Sequence, residues 1–203
     1  MFVAGNHDVS NAIGHYKMLK DEKDENAYIG IYNLMLQPSV LKTKSNFNYT
    51  TDKIHYSKDV AGVHLQFINL WPDSLERSWM EKDLQNVAAS TPVFIFTHSY
   101  PDVEARFFIN PNTNHSINEK DGFENLLSES FKDGYSSENP AIIEQKELEV
   151  FIRKHPNIKA YFHGHSNYNE FYTWKGIDGT IALPCFRADS PMKGKYSAKD
   201  ETN

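Results

Sequence analysis

The sequence predicts one layered domain of the α/β or α+β class, spanning residues 1–203, and two observations lead to this prediction. The chain has 203 residues, 39% of them hydrophobic and 24% charged, which is typical of one well-buried globular domain and too short for two. Short apolar segments alternate with amphipathic segments of helical period, and pairs of β-rich segments flank turn residues. Strands buried by helices, with one or two hairpins, make a layered domain.

Local composition predicts the elements of the first half of the chain. The opening apolar residues end at Gly5 and indicate the stub of a buried strand. Residues 59–62 supply turn chemistry between two segments rich in β-branched and aromatic residues, which is typical of a hairpin. Asp73 and Ser74 provide the cap of an amphipathic helix. The predicted elements are a strand at 1–4, a helix at 11–20, hairpin strands at 49–56 and 63–70, and a helix at 75–89.

The second half of the chain continues the alternation of strand and helix. The run at 92–97 is short and continuously apolar, as expected for a strand buried on both faces. The long polar segment 99–140 is a candidate binding loop, because loops of that length are uncommon in compact domains, and a solvated surface loop is the alternative. The predicted elements are strands at 92–97 and 158–162, helices at 121–131 and 141–155, and hairpin strands at 171–175 and 180–183.

Charge and cysteine content exclude several kinds of site. The net charge of −6 argues against a surface that neutralises nucleic-acid phosphates, so binding to a nucleic-acid backbone is not expected. A small phosphorylated substrate stays compatible with this charge, because a bound metal supplies positive charge locally. The single cysteine, Cys185, excludes an intrachain disulfide and a cysteine-rich zinc site. No apolar run approaches the length of a membrane span, and the sequence leaves compartment and oligomeric state open.

Three polar clusters lie where predicted strands end. Because the carboxyl ends of parallel strands meet at one edge of a sheet, we expect clusters far apart in sequence to come together there. Their imidazole, amide and carboxylate groups, without a thiolate, suit a divalent Mn, Fe or Zn ion. The clusters are Gly5-Asn6-His7-Asp8, Thr97-His98-Ser99 and Gly164-His165-Ser166-Asn167.

In type and order, these clusters resemble three motifs of the calcineurin-like metallophosphoesterase superfamily. The tetrapeptide at 5–8 matches the family's third motif, Gly-Asn-His-Asp or Glu after a strand. His98 matches the fourth motif, a histidine at a strand end. Gly164 and His165 match the start of the fifth motif, Gly-His-x-His, whose last position is Asn167 in this chain. The resemblance covers essentially the whole sequence.

The resemblance implies a metal site. It assigns Asn6, His98 and His165 as ligands of one divalent ion, Mn, Fe or Zn, with Asn6 binding through its side-chain oxygen. It places the remaining ligand of a second ion at Asn167, where an amide binds Zn or Fe more weakly than imidazole does. The intact centre of the family holds two metal ions.

The resemblance also implies an activity and a fold. The activity is hydrolysis of phosphate esters in a small phosphorylated substrate, by attack of a metal-bound hydroxide. His7 would assist the leaving alkoxide, since imidazole titrates closest to neutral pH, and Asp8 would fix its tautomer. The implied fold is a four-layer α/β/β/α sandwich of two mixed sheets, here lacking its opening strands.

Two motifs of the family have no counterpart in this sequence. Its Asp-x-His and Gly-Asp motifs lie upstream of the third motif, and five residues precede Asn6 here. The aspartate that bridges both metals is therefore expected to be missing, and we expect this chain to hold at most one ion, weakly. Two alternatives follow. The chain is a fragment of a longer gene product, or it is a non-catalytic binding or structural module with an incomplete metal centre.

Each candidate residue also has a purely structural interpretation. His98 taken alone fits an ordinary core or rim histidine, and Asp8 fits the cap of a following helix. Asn167 fits a turn residue. His163 shares strand parity with His165, and we expect it to pack beneath the site, with ligation as the alternative.

Overall fold

The computed structural model describes residues 3–5, 27–43, 45–48, 51–102, 140–166 and 168–188. This part of the chain is a mixed α/β structure with six strands in one sheet and three helices, which confirms the predicted class. The elements are α1 (Ala27–Leu36), β1 (Tyr56–Val60), β2 (Val63–Phe67), α2 (Ser74–Leu84), β3 (Val93–Phe96), α3 (Pro140–Lys154), β4 (Ile158–His163), β5 (Glu170–Trp174) and β6 (Leu183–Arg187). No helix within these ranges is long and apolar enough to cross a membrane.

The strand order of the sheet is β1-β2-β3-β4-β6-β5. The four inner strands β2, β3, β4 and β6 run parallel, and each outer strand pairs antiparallel with its neighbour. A hairpin joins β1 to β2, whereas α2 follows β2 and α3 precedes β4 along the chain. The carboxyl ends of the four inner strands therefore lie along one edge of the sheet.

One face of the sheet packs against α2 and α3 to form the hydrophobic core. Val93 and Ile95 of β3 are fully buried there, together with Met80 of α2 and Leu148 of α3. Burial of each such side chain contributes about 1.5–3 kcal/mol to stability. Because side chains alternate along a strand, Phe94 and Phe96 of β3 point to the other face.

That other face carries an aromatic side chain from every strand, and we call this set the aromatic row. The rings are in register across the sheet, with neighbouring centroids 4.6 to 5.2 Å apart. Aromatic pairs of this kind contribute about 0.5–1.5 kcal/mol each beyond their area burial. In strand order the aromatic row is Tyr56, Phe67, Phe96, Phe162, Phe186 and Phe171.

The predicted hairpin is present, but its first strand lies later than the predicted 49–56. β1 begins at Tyr56 and turns into β2 through Ala61 and Gly62, whose φ angles of 50° and 82° are both positive, as a type I′ turn requires. The last three residues of β1, Lys58, Asp59 and Val60, are exposed, and two of them are charged. An edge strand of this kind lacks the apolar signal on which the prediction depended.

The predicted helix at 75–89 begins as expected and ends earlier, at Leu84. Asp73 caps it, because its side chain accepts a hydrogen bond of 2.9 Å from the backbone N–H of Glu76. Glu76, Met80 and Leu84, one turn apart, form its buried side. Beyond Leu84 the chain tightens into a turn, in which Val87 N donates to Leu84 O at 3.1 Å.

The predicted strand at 180–183 is wrong, because β6 begins at Leu183. Pro184 lies inside β6 although it has no N–H to donate to a neighbouring strand. It is paired only with Thr173 of β5, and the pairing with β4 starts at the next residue, Cys185. The strand therefore accommodates the proline before it becomes an inner strand.

The other predicted elements divide into three groups. The strands at 92–97, 158–162 and 171–175 and the helix at 141–155 are found within two residues of their predicted bounds. Helix α1 was not predicted, and residues 3–5 are described but belong to no strand, although Ala4 and Gly5 are buried as expected. The predicted helices at 11–20 and 121–131 lie outside the described residues.

Candidate metal centre

His98 and His165 lie side by side at the edge where the inner strands end. Backbone hydrogen bonds continue beyond β3 and β4: Thr97 N donates to Phe162 O, and Gly164 N donates to His98 O, each at 3.0 Å. These bonds join the backbones of the two loops where they leave the strands. The structure thus brings together two of the predicted ligands from positions 67 residues apart.

The two imidazole rings face each other through His98 Nε2 and His165 Nδ1, which are 3.1 Å apart, with the rings at 83°. Two imidazoles bound to one zinc ion at about 2.0–2.1 Å lie about 3.3 Å apart in tetrahedral geometry and about 2.9 Å apart in octahedral geometry. The observed separation falls between these values. It is also a hydrogen-bond length, so one ring donates its N–H to the other while no metal is bound.

The backbone of His165 is in the left-handed region, with φ of 70°. This conformation is uncommon for a residue with a side chain and concentrates at functional sites. A tight turn continues from it, in which Ser166 N donates to Gly164 O at 3.0 Å. The turn carries the imidazole of His165 to the side of His98 instead of continuing the line of β4.

Gly5 packs directly on the ring of His98. A Cβ atom added at Gly5 would lie 2.9 Å from both Cε1 and Nδ1 of His98, closer than such contacts allow. Only glycine permits this approach of backbone to ring. The residue that precedes the predicted ligand Asn6 is therefore in contact with the histidine pair.

The other predicted site residues cannot be placed beside this pair. Asn6, His7, Asp8 and Asn167 lie outside the described residues. The site that the structure describes consists of His98 and His165, with Gly5 against them.

The loop that carries His98 is anchored to the core by three hydrogen bonds. Ser99 N donates to Leu70 O at 3.0 Å, and the hydroxyl of Tyr161 donates to Ser99 O at 2.9 Å. Trp71 Nε1 donates to the carbonyl of Tyr100 at 3.1 Å. Because Trp71 and Tyr161 are fully buried, His98 sits on a rigid support.

His163 lies beneath the pair, and both of its ring nitrogens are engaged. Nδ1 donates to Gly164 O at 3.1 Å, and Nε2 therefore accepts from the hydroxyl of Tyr172 at 2.8 Å. Burial lowers the pKa of His163 to about 4, so the ring is neutral at physiological pH. These two bonds hold the ring of His163 in place and give it a structural role.

A charged residue that the sequence analysis did not single out lies next to the pair. Arg187 ends β6, and its guanidinium lies over the rings of Tyr100, Tyr168 and Tyr172. Its side chain is 8% exposed. Nothing in the local sequence distinguishes this arginine, because its partners come from three other parts of the chain.

A cavity of about 670 Å³ opens beside the pair, on the face of the aromatic row. Val3, Thr97, His98 and Gly164 line it together with members of the row. The hydroxyl of Thr97 is buried and has no hydrogen-bond partner within the described residues. A cavity of this size is large enough for a small molecule.

The donor set of the described residues fits a metal ion in part. The two imidazole nitrogens have the spacing of two ligands on one ion, and neutral imidazole suits Zn, Fe and Mn. Within the described ranges, no group of three or more His, Cys, Asp or Glu side chains is placed to hold an ion. An ion at this pair would need further oxygen ligands, of which Asn6 is the predicted one.

Comparison with known proteins gives no further assignment. No protein-family model matches the chain, and no curated protein matches it.

Proposed function

We propose that the chain is part of a calcineurin-like metallophosphoesterase and that its site serves the metal-dependent hydrolysis of phosphate esters. The observation that carries the proposal is the 3.1 Å separation of His98 Nε2 and His165 Nδ1 at the ends of adjacent parallel strands. The contact of Gly5 with His98 supports it, because it brings the start of the Gly-Asn-His-Asp motif to the same place. The described residues Gly5, His98 and His165, one from each proposed motif, lie at one edge of the sheet, which supports the proposal.

His98, His165 and Asn6 would hold the divalent ion in this proposal. When bound, the ion would act as a Lewis acid that polarises the phosphoryl group. The chain's own contribution is to present two neutral imidazoles at a fixed spacing, on loops that the backbone bonds of Thr97 and Gly164 hold together.

His7 and Asp8 would serve the leaving group. Loss of an alkoxide requires a proton donor that titrates near neutral pH, and His7 supplies it in the proposed role. Asp8 would hold the tautomer of His7 and raise its pKa. Both roles rest on the motif.

We also propose that the domain is completed as a four-layer sandwich, with a second sheet on the aromatic row. The aromatic row supports this, because a sheet face that carries six aligned aromatic side chains is suited to packing against another layer. Phe171, at the end of the row, is 80% exposed. Val3 lines the cavity on this face, where the added layer would begin.

The alternative function is a non-catalytic binding or structural module. It is favoured by the donor set, which within the described residues contains two imidazoles and no carboxylate group able to complete a metal site. The two functions differ in turnover, since a module with an incomplete centre would bind without hydrolysing.

A phosphatase assay on the 203-residue chain with added Mn²⁺ and an aryl phosphate separates them. We expect slow turnover that requires metal, because one ligand pair is present but a second metal ion is not expected. In His98→Ala the rate should fall to that of the blank, since this variant loses one of the two imidazoles. The control is His155→Ala, which removes an imidazole at the opposite edge of the sheet, next to Glu81. Turnover equal in wild type and His98→Ala, or none at any metal concentration, would contradict the proposed hydrolase.

A further inference from the structure

Arg187 lies at the centre of a group of tyrosines beside the histidine pair. The carbon of its guanidinium is 4.3 Å from the ring centroid of Tyr168, 5.4 Å from that of Tyr100 and 5.6 Å from that of Tyr172. A cation over an aromatic face within about 6 Å is attracted by the ring quadrupole, most strongly where water is excluded. Three such contacts on one guanidinium make Arg187 the common neighbour of the three rings.

An ion pair and the ring contacts hold the guanidinium. Arg187 Nη1 lies 2.9 Å from Glu170 Oε2, so the two side chains form an ion pair. Nε and Nη1 nevertheless have no hydrogen-bond partner within the described residues, so the N–H bonds do not point at the carboxylate. The arrangement depends on a flat cation, which stacks on tyrosine in a way that a lysine ammonium does not.

Two of the three tyrosines belong to the loops that carry the histidines. Tyr100 follows His98 by two residues, and Tyr168 follows His165 by three. The ring of Tyr100 also contacts the ring of His165, with centroids 6.1 Å apart. The cation of Arg187 therefore bridges the His98 loop to the His165 loop.

The two loops differ in how they are supported. Hydrogen bonds from Trp71 and Tyr161 tie the His98 loop to the core. Within the His165 loop, Ser166 N donates to Gly164 O and Tyr168 N donates to Ser166 O, each at 3.0 Å. The backbone bond from Gly164 N to His98 O joins the two loops at their start, and the contacts of Arg187 with Tyr100 and Tyr168 join them beyond the two histidines.

We infer that Arg187 is a positioning residue, which holds the His165 loop against the His98 loop and so sets the spacing of the two imidazoles. The effect of Arg187 on metal binding rests on the proposed function, whereas its effect on the spacing of the two imidazoles does not. Partners that orient metal ligands from behind typically change metal affinity about 10–100-fold when they are lost. The expected effect of losing Arg187 is of that size.

The test compares Arg187→Met with Arg153→Met in the full 203-residue chain. Arg153 is a matched control, because it also pairs with carboxylates, Glu149 and Asp178, but at an exposed site on α3. The first readout is the set of nuclear Overhauser contacts between the rings of His98 and His165 in EDTA. The second is Co²⁺ affinity, with the visible spectrum of the bound ion.

We expect Arg187→Met to lose the contacts between the two rings, to bind Co²⁺ about 10-fold or more weakly and to change the Co²⁺ spectrum. Arg153→Met is expected to match wild type in all three. Ring contacts and Co²⁺ affinity that are unchanged in Arg187→Met would overturn the inference.

A second variant, Tyr168→Leu, covers the case in which Arg187→Met does not fold. Tyr168 is 40% exposed, so its loss leaves the core intact while it removes the nearest ring under the guanidinium. We expect a smaller change in the same direction, and no change would overturn the inference.

The two proposals fail separately. Loss of ring contacts in Arg187→Met, together with a wild-type chain that binds no Co²⁺, would support the positioning role and overturn the metallophosphoesterase proposal. Co²⁺ binding that depends on His98 but is unchanged in Arg187→Met would overturn the positioning role and support the metallophosphoesterase proposal.

Discussion

At the scale of single residues, the site depends on two unusual backbone features. His165 adopts a left-handed conformation despite its side chain, and Gly5 lies against the ring of His98 where no Cβ fits. In an ordinary loop, the left-handed backbone of His165 would add strain, and a glycine would lose more conformational entropy on folding than another residue. Together they allow three separate parts of the chain to approach one point.

Gly5→Ala is expected to displace the ring of His98. The added methyl would meet Cε1 and Nδ1 at 2.9 Å, and overpacking of this kind typically costs about 1–3 kcal/mol. The free energy of unfolding, measured with urea, should fall by about that amount, and Co²⁺ affinity should fall with it.

The control for this variant is Gly30→Ala in α1, where a Cβ has open space and alanine favours the helix by about 0.5–1 kcal/mol. A Gly5→Ala chain as stable as wild type, with unchanged Co²⁺ affinity, would show that the close contact is absent in solution.

At the scale of elements, buried polar side chains fix how strands, helices and turns meet. Glu149 of α3 accepts from Ile177 N at 2.8 Å and from the hydroxyl of Thr180 at 2.8 Å. It thereby holds the turn between β5 and β6 against the helix. No sequence pattern near the turn signals this contact.

Substitution of Gly176 tests this contact. Gly176 and Gly179 both have positive φ, 76° and 74°, but a Cβ at Gly176 would lie 2.5 Å from Cδ of Glu149, whereas one at Gly179 meets open space. Gly179→Ala should cost about 1–2 kcal/mol from the left-handed backbone alone. Gly176→Ala should cost about 1–3 kcal/mol more. Equal unfolding free energies for the two variants would contradict the role of Glu149.

His64 joins the hairpin to α2. Its Nδ1 lies 2.8 Å from Asp59 Oδ1 and its Nε2 lies 2.7 Å from Asp83 Oδ2. Burial alone lowers the pKa of His64, but the hydrogen bonds and charges of Asp83 and Asp59 outweigh it, and the pKa is raised above its usual value. The protonated ring is thus the form that the fold favours.

The raised pKa of His64 predicts a pH dependence of stability. A histidine whose pKa is higher in the folded than in the unfolded chain stabilises the fold fully below about pH 6.5, and this contribution is lost as pH rises through the folded pKa. The difference in unfolding free energy between wild type and His64→Gln should therefore be larger at about pH 5.5 than at about pH 8.5, which lie on either side of the unperturbed histidine pKa. A difference that is constant or grows with pH would contradict the ion pairs of His64.

At the scale of the whole molecule, the sheet has one face covered by helices and one face lined by the aromatic row. The covered face holds the fully buried residues Val93, Ile95 and Tyr161. The aromatic face ends at the cavity beside His98. The proposed second sheet would complete both the core and the site, because it would pack on the row at the edge where the imidazoles meet.

Part of this arrangement could be predicted from the sequence. Apolar runs before His98 and His165 indicated parallel strands, and parallel strands bring their ends together, so the approach of the two histidines followed from pattern alone. The role of Arg187 could not be predicted in this way, because it depends on contacts with the rings of Tyr100, Tyr168 and Tyr172. The edge strand β1 was also misplaced, since its last three side chains are exposed and the strand carries no apolar alternation.

Equilibrium dialysis of the 203-residue chain against micromolar Zn²⁺ measures whether His98 and His165 share one divalent ion. We expect at most one equivalent, held weakly, because within the described residues the pair has no third His, Cys, Asp or Glu side chain placed to complete a metal site. Binding should be lost in His98→Ala and in His165→Ala and kept in His155→Ala. Zn²⁺ that stays bound when both histidines are replaced, or two tightly held equivalents in the wild-type chain, would contradict the account.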